Sequence, residues 1–150
     1  MKIHERKNVV GHYKIERLDG DKWVTVQEKK NVVVQGFFTG LFTHLQGTDT
    51  PMEVTHFALG TGTTTAMKAN TALETETFRK ARTSISSTPT SLIVKLSLAP
   101  SEAVMTIREI GLFMEATDTA GSGNLLSRVN VNVEKNASTQ YLITYTLTIQ

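Results

Sequence analysis

The chain closes on the segment from Tyr141 to Ile149, in which Tyr141, Ile143, Tyr145, Leu147 and Ile149 share one side and Thr144, Thr146 and Thr148 the other. Only a backbone whose side chains alternate every two residues separates these sets, so the segment is expected to be a strand with one apolar face buried. Such a strand needs neighbours and a second layer over that face. The same pattern recurs at Leu92, Val94, Leu96 and Leu98, which alternate with Ile93, Lys95 and Ser97. It returns at Val129, Val131 and Val133, set between Arg128, Asn130, Asn132 and Glu134. Threonine supplies 23 of the 150 residues and proline only three. Threonine is β-branched and suits a pleated, half-buried surface, whereas a mucin-like linker would carry far more proline.

Earlier segments fit the same plan. His12–Leu18 alternates, Asp19-Gly20-Asp21-Lys22 has turn chemistry, and Trp23–Val26 is again extended, so residues 12–27 read as a hairpin. The period then changes. Val34, Phe37, Phe38, Leu41, Phe42 and Leu45 fall at spacings of three and four, which predicts one amphipathic helix over about residues 32–46, with Asn31 as cap and Gly47 as stop. Gly36 and Gly40 each cost such a helix about 1 kcal/mol relative to alanine. Val54–Leu59 reads as a strand running into the Gly60–Thr65 turn, and residues 66–77 as a polar loop with one helical turn near Thr71–Glu76. Extended structure is expected from Phe78 through Ile85, and Ser84–Ser91 reads as a Ser/Thr/Pro-rich break. Met105–Met114 is a strand in which Gly111 marks a bulge or a close backbone neighbour. Ala116–Asn124 is a loop tip. Strands at this spacing predict a mainly β fold, an antiparallel β-sandwich or open barrel with one helix against it, in a single domain of residues 1–150.

Several function classes are disfavoured. Cysteine is absent, which removes disulfides, thiolate metal sites and cysteine nucleophiles. No run of 18 apolar residues occurs, so no spanning helix is expected, and no apolar stretch follows Met1–Lys7 as a cleaved secretory signal would require. The formal charge of +2 is mild. It resides in residues 1–30, a basic amino-terminal arm and hairpin, and no nucleic-acid partner is expected. The turn at Gly60–Thr65 lacks the lysine that a phosphate-binding P-loop needs directly after its last glycine. His4, His12, His44 and His56 are not spaced to put two imidazoles on one face, and no Gly-x-Ser-x-Gly elbow is present. No catalytic, cofactor or metal residue is therefore assigned. A hydrolase built on Glu74, Glu76 or Glu109 ranks last, because nothing in the sequence sets two carboxylates across a cleft.

Ordered motifs supply a resemblance. Lys30-Asn31-Val32-Val33-Val34 with Gly36 and Leu41 is followed by Phe57–Thr64 (FALGTGTT) and Thr71–Glu76 (TALETE) with Arg79 close behind. Thr106–Phe113 (TIREIGLF) and Asn124–Val129 (NLLSRV) come next. Over roughly residues 30–150 this set resembles bacteriophage tail and baseplate proteins, particularly tail-fibre (collar-type) attachment domains. The resemblance implies a non-enzymatic virion structural protein, located in the tail and made in the bacterial host cytoplasm. Its implied partners are itself, as a cyclic homo-oligomer such as a trimer or hexamer, and other tail, baseplate or fibre proteins, with no membrane.

Within that frame the basic hairpin and the loops 60–77 and 115–124 are the expected contact surfaces. Trp23 is the expected interface anchor, with Tyr13 beside it on the hairpin. Arg108 and Glu109 are expected to pair with Arg79 or Glu74 and tie the long loop down. Arg79, in the basic cluster with Lys80 and Arg82, is also assigned to ion pairing with Glu74 or Glu76. The alternative reading is a carbohydrate-binding module, whose aromatic platforms would be Trp23, Tyr13, Tyr141 and Tyr145.

Overall fold

Asp19-Gly20-Asp21-Lys22 folds as the sequence suggests, with Gly20 at φ +66° in the two-residue turn between β1 (Val9–Asp19) and β2 (Lys22–Val33). The computed structural model describes residues 8–150, so the first seven residues of the basic arm, and His4 with them, lie outside the described residues. Downstream follow α1 (Gln35–Leu45), β3 (Val54–Gly60), β4 (Glu76–Ala81), β5 (Ser84–Ser87), β6 (Ser91–Leu98), β7 (Thr106–Met114), β8 (Asn124–Glu134) and β9 (Tyr141–Ile149). The nine strands are antiparallel and form one curled sheet in the order β4-β3-β7-β8-β2-β1-β9-β6-β5. The expected open barrel or sandwich with one helix is therefore the observed architecture.

Two places bend the sheet onto itself. Strand β2 pairs with β1 along nearly its whole length but with β8 only through Val32 and Val33. Where the strands diverge, side chains replace the ladder: Asn132 donates its N–H to Gln27 Oε1 at 3.1 Å, and Lys29 Nζ donates to the carbonyl of Asn130 at 2.7 Å. The second corner lies between β4 and β5, which occupy opposite ends of the strand order yet are two residues apart in the chain. Arg82 donates its N–H to Thr55 beside β4, and Thr83 donates its N–H to Lys95 beside β5. The expected continuous strand Phe78–Ile85 is thus two strands around a corner, and Ser84–Ser87 is β5 rather than part of a break.

Folding over brings the two halves of the sheet together around one core. Tyr13, Ile15, Val94, Leu96, Tyr145 and Leu147 from one half meet Phe57, Leu59, Ile107, Ile110, Leu112 and Val129 from the other. These are the inward positions of the alternating patterns. The half containing β3, β7 and β8 is buried on its outer face as well, where Val34, Ala58, Leu73, Phe113, Ala116 and Leu125 form a second cluster. That explains the nearly unbroken apolar runs Phe57–Leu59 in β3 and Ile110–Met114 in β7.

The helix begins later than expected. Val32 and Val33 complete β2, Asn31 lies in that strand, and the cap position falls to Val34, which makes no side-chain cap bond. The apolar triplet 32–34 suits either element, and pairing with β8 decides it. Gly47, at φ +88°, ends the helix by donating its N–H to His44. The helical turn expected near Thr71–Glu76 is absent; the segment is irregular and passes directly into β4.

Candidate functional site

Loop 61–75 is built around one buried ion pair. Glu109, on β7, and Arg128, on β8, are both sealed from solvent, with Arg128 Nη2 2.8 Å from Glu109 Oε2. Carboxylate oxygens inside a protein need several donors, and Glu109 collects them from the loop. Its Oε1 accepts the N–H of Thr75 at 2.7 Å and of Gly62 at 3.1 Å, and its Oε2 accepts the N–H of Glu74 at 3.0 Å. The guanidinium distributes its remaining donors likewise. Nη1 donates to Asn70 Oδ1 at 3.0 Å and Nη2 to the carbonyl of Thr64 at 2.9 Å. Asn130 completes the frame, accepting the N–H of Ala66 and donating to the carbonyl of Thr64.

Glycines make room for this arrangement. A methyl group on Gly111 would stand 2.8 Å from Leu73 Cδ2, so the loop's leucine packs directly on the strand backbone. Glu74 itself is exposed. It accepts the N–H and hydroxyl of Thr64, which hold its carboxylate below the usual range, the backbone N–H contributing most.

The sequence-based pairing of Arg108 and Glu109 with Arg79 or Glu74 is corrected in its partners. Glu109 does fasten the loop, but its cation is Arg128, and it holds Glu74 through that residue's backbone. Arg108 is exposed, at the irregularity where the β7–β8 register shifts between Ile107 and Glu109, and has no ion-pair partner among the described residues. Arg79 pairs with Glu76, with Nε 2.6 Å from Oε1. It also stacks its guanidinium 4.4 Å from the centre of the Phe113 ring and donates to the carbonyl of Ser122 at 2.7 Å. That side chain therefore fixes loop 115–123. Sequence reasoning passed over Arg128, Asn130 and Asn70. The available signal was a lone arginine in an apolar strand, since a charge buried there requires a partner.

The hairpin presents a different surface. Tyr13 is fully buried and donates or accepts a hydrogen bond with Ser127 Oγ at 2.8 Å. It sits on the inward side of β1, against Tyr145 at 4.8 Å between ring centres, so its assignment to an interface is overturned. Burial raises its hydroxyl pKa well above the usual tyrosine value. Trp23 is 41% exposed and is joined by Val24 at 40% and Val26 at 38%. Helix α1 adds Phe42 at 57% and Leu45 at 71%, and none of its residues is fully buried. Of the four candidate sugar platforms, Tyr141 and Tyr145 are buried with Tyr13, which leaves Trp23.

Known proteins offer no guide. No family model, curated protein or solved structure shows significant similarity to this chain. Among the described residues no helix is long and apolar enough to cross a membrane.

Proposed function

We propose that this chain is a non-enzymatic structural building block of a phage tail or baseplate, which self-associates and joins neighbouring tail or fibre components in the virion. The observation that carries the self-association is the row Trp23, Val24 and Val26. These apolar side chains stand in solvent on a strand whose outer edge has no ladder partner over Lys22–Val26 among the described residues. Exposed apolar edge strands are pairing sites unless covered. The tail setting rests on the ordered motifs, from the FALGTG turn to the NLLSRV strand.

Two of the three carboxylates considered for a hydrolase are held in ion pairs. Glu109 is enclosed by Arg128 and loop backbone, and Glu76 is held by Arg79. A sugar-binding reading keeps only Trp23 of the four platforms expected from the sequence, so the self-association reading is preferred. Light scattering and sedimentation equilibrium on the purified chain test the proposal. A discrete oligomer is expected, together with no signal on a glycan array. A monomer at all accessible concentrations, or turnover of a polysaccharide, would overturn it.

A further inference from the structure

The outer edge of β2 carries its own pairing instructions. Leu18 donates its N–H to the carbonyl of Gln140 at 2.9 Å, away from β2. Leu18 and Trp23, which lie opposite each other, therefore form a non-hydrogen-bonded pair. By alternation, the N–H and C=O groups of Trp23 and of Thr25 point outward from the sheet, and neither residue has a backbone partner on that side among the described residues. Beyond Val26 the edge is occupied, because Gln27 already reaches across to Asn132 on β8.

We propose that a second copy of this chain docks edge to edge on Lys22–Val26 of β2, antiparallel and about a twofold axis, joining the two hairpins into one continuous sheet. This inference rests on the self-association reading and specifies its surface.

The register follows from the direction of the outward groups. Hydrogen-bonded pairs form only where both residues point outward, so Trp23 faces the second copy's Thr25 and Thr25 faces its Trp23. Each of these pairs exchanges both backbone bonds. Val24 then meets the second copy's Val24 across the axis as a non-hydrogen-bonded pair, with Cα atoms about 4.5 Å apart, so that two exposed valines bury one another. The one charge on the free segment, Lys22, lies opposite Val26 and faces no like charge. Pairing ends where β8 begins to flank β2, so the free length and the paired length coincide. A twofold contact of this kind uses the same patch on both copies and closes on itself.

Because the chain has no cysteine, Val24→Cys is a clean probe of the axis. About 4.5 Å between the two Cα atoms lies within disulfide range. Under mild oxidation the variant is expected to convert to a covalent dimer, while Val104→Cys, at an exposed position outside β2, does not. Val24→Lys sets like charges against each other on the axis and is expected to weaken self-association about 100-fold while the far-UV circular dichroism spectrum stays that of the wild-type chain. In the wild-type oligomer the amide protons of Trp23 and Thr25 exchange slowly, and in the Val24→Lys monomer they exchange fast. If Val24→Lys keeps the wild-type oligomeric size and Val24→Cys does not cross-link, edge pairing is overturned while self-association stands. A wild-type chain that is monomeric throughout overturns both.

Discussion

Glu109 and Arg128 face each other across neighbouring strands at 2.8 Å, and between them they hold both ends of loop 61–75 and, through Asn70, its middle. A buried ion pair that does nothing else can often be replaced by apolar residues at little cost. This one also satisfies the backbone N–H groups of Gly62, Glu74 and Thr75. Glu109→Ala is expected to cost about 3–5 kcal/mol, a fall in Tm of roughly 6–20 °C. The Glu109→Met/Arg128→Met double variant should stay destabilised, because the loop amides remain without acceptors. Thermal melts combined with limited proteolysis of residues 61–75 read both effects. A double variant as stable as wild type would reduce the pair to a simple ion pair.

The glycines divide into two kinds, and substitution should separate them. A methyl group on Gly60 would run into the carbonyl of Thr75 and stand 2.9 Å from Glu109 Cγ, where nothing nearby can yield. Gly40, in the middle of α1, has room: its added carbon would make an ordinary contact with Met52 Cε at 3.5 Å. Gly40→Ala is expected to stabilise the protein by about 0.5–1 kcal/mol through helix propensity. Gly60→Ala should lower stability by about 1–3 kcal/mol through overpacking. Urea unfolding midpoints check both signs.

Alternation made most of the fold legible. Val94, Leu96, Tyr145 and Leu147 face inward where their spacing placed them, because a two-residue period survives any choice of strand partner. What the spacing could not supply was position across strands. Arg79 and Glu76 were readable as a pair, being three residues apart, whereas Arg128 lies on a different strand from Glu109 and meets it only through the β7–β8 register. Tyr13 was misplaced for a related reason. On an isolated hairpin both faces look available, and only the β1–β9 ladder and the fold-over of the sheet turn that side into core. The corner at Arg82–Thr83 was invisible because extended residues continue on either side of it.

Acid stability should depend on two surface carboxylates. Glu102 is held below the usual carboxylate range by its hydrogen bond from Lys80 at 2.7 Å and by the N–H of Ala99, and Glu74 by Thr64. A carboxylate whose folded pKa is depressed adds stability above its unfolded pKa, and that stability is lost as pH falls through the folded value. Unfolding midpoints should therefore decline as pH drops below about 4.5, the ordinary glutamate value. Glu102→Gln should flatten part of that decline by lowering the neutral-pH midpoint while leaving the midpoint in acid nearly unchanged. An acid limb identical to wild type would show that the Lys80 contact contributes nothing.

Lys135 gives the opposite limb. Its side chain is 2% exposed, donates to the carbonyls of Ala99, Pro100 and Asn136, and lies 5.3 Å from the centre of the Tyr141 ring. Burial lowers its pKa, and the nearby Glu102 only partly opposes that shift. Between the lowered folded value and the ordinary value of 10.5, the unfolded chain binds more protons than the folded one. Stability should accordingly rise with pH across that interval. Lys135→Met leaves the three carbonyls without their donor and should cost about 1–3 kcal/mol at neutral pH. It should also abolish the alkaline rise. Urea midpoints for both proteins between neutral pH and pH 10 decide the matter: parallel curves would mean that the lysine is as well solvated in the folded chain as in the unfolded one.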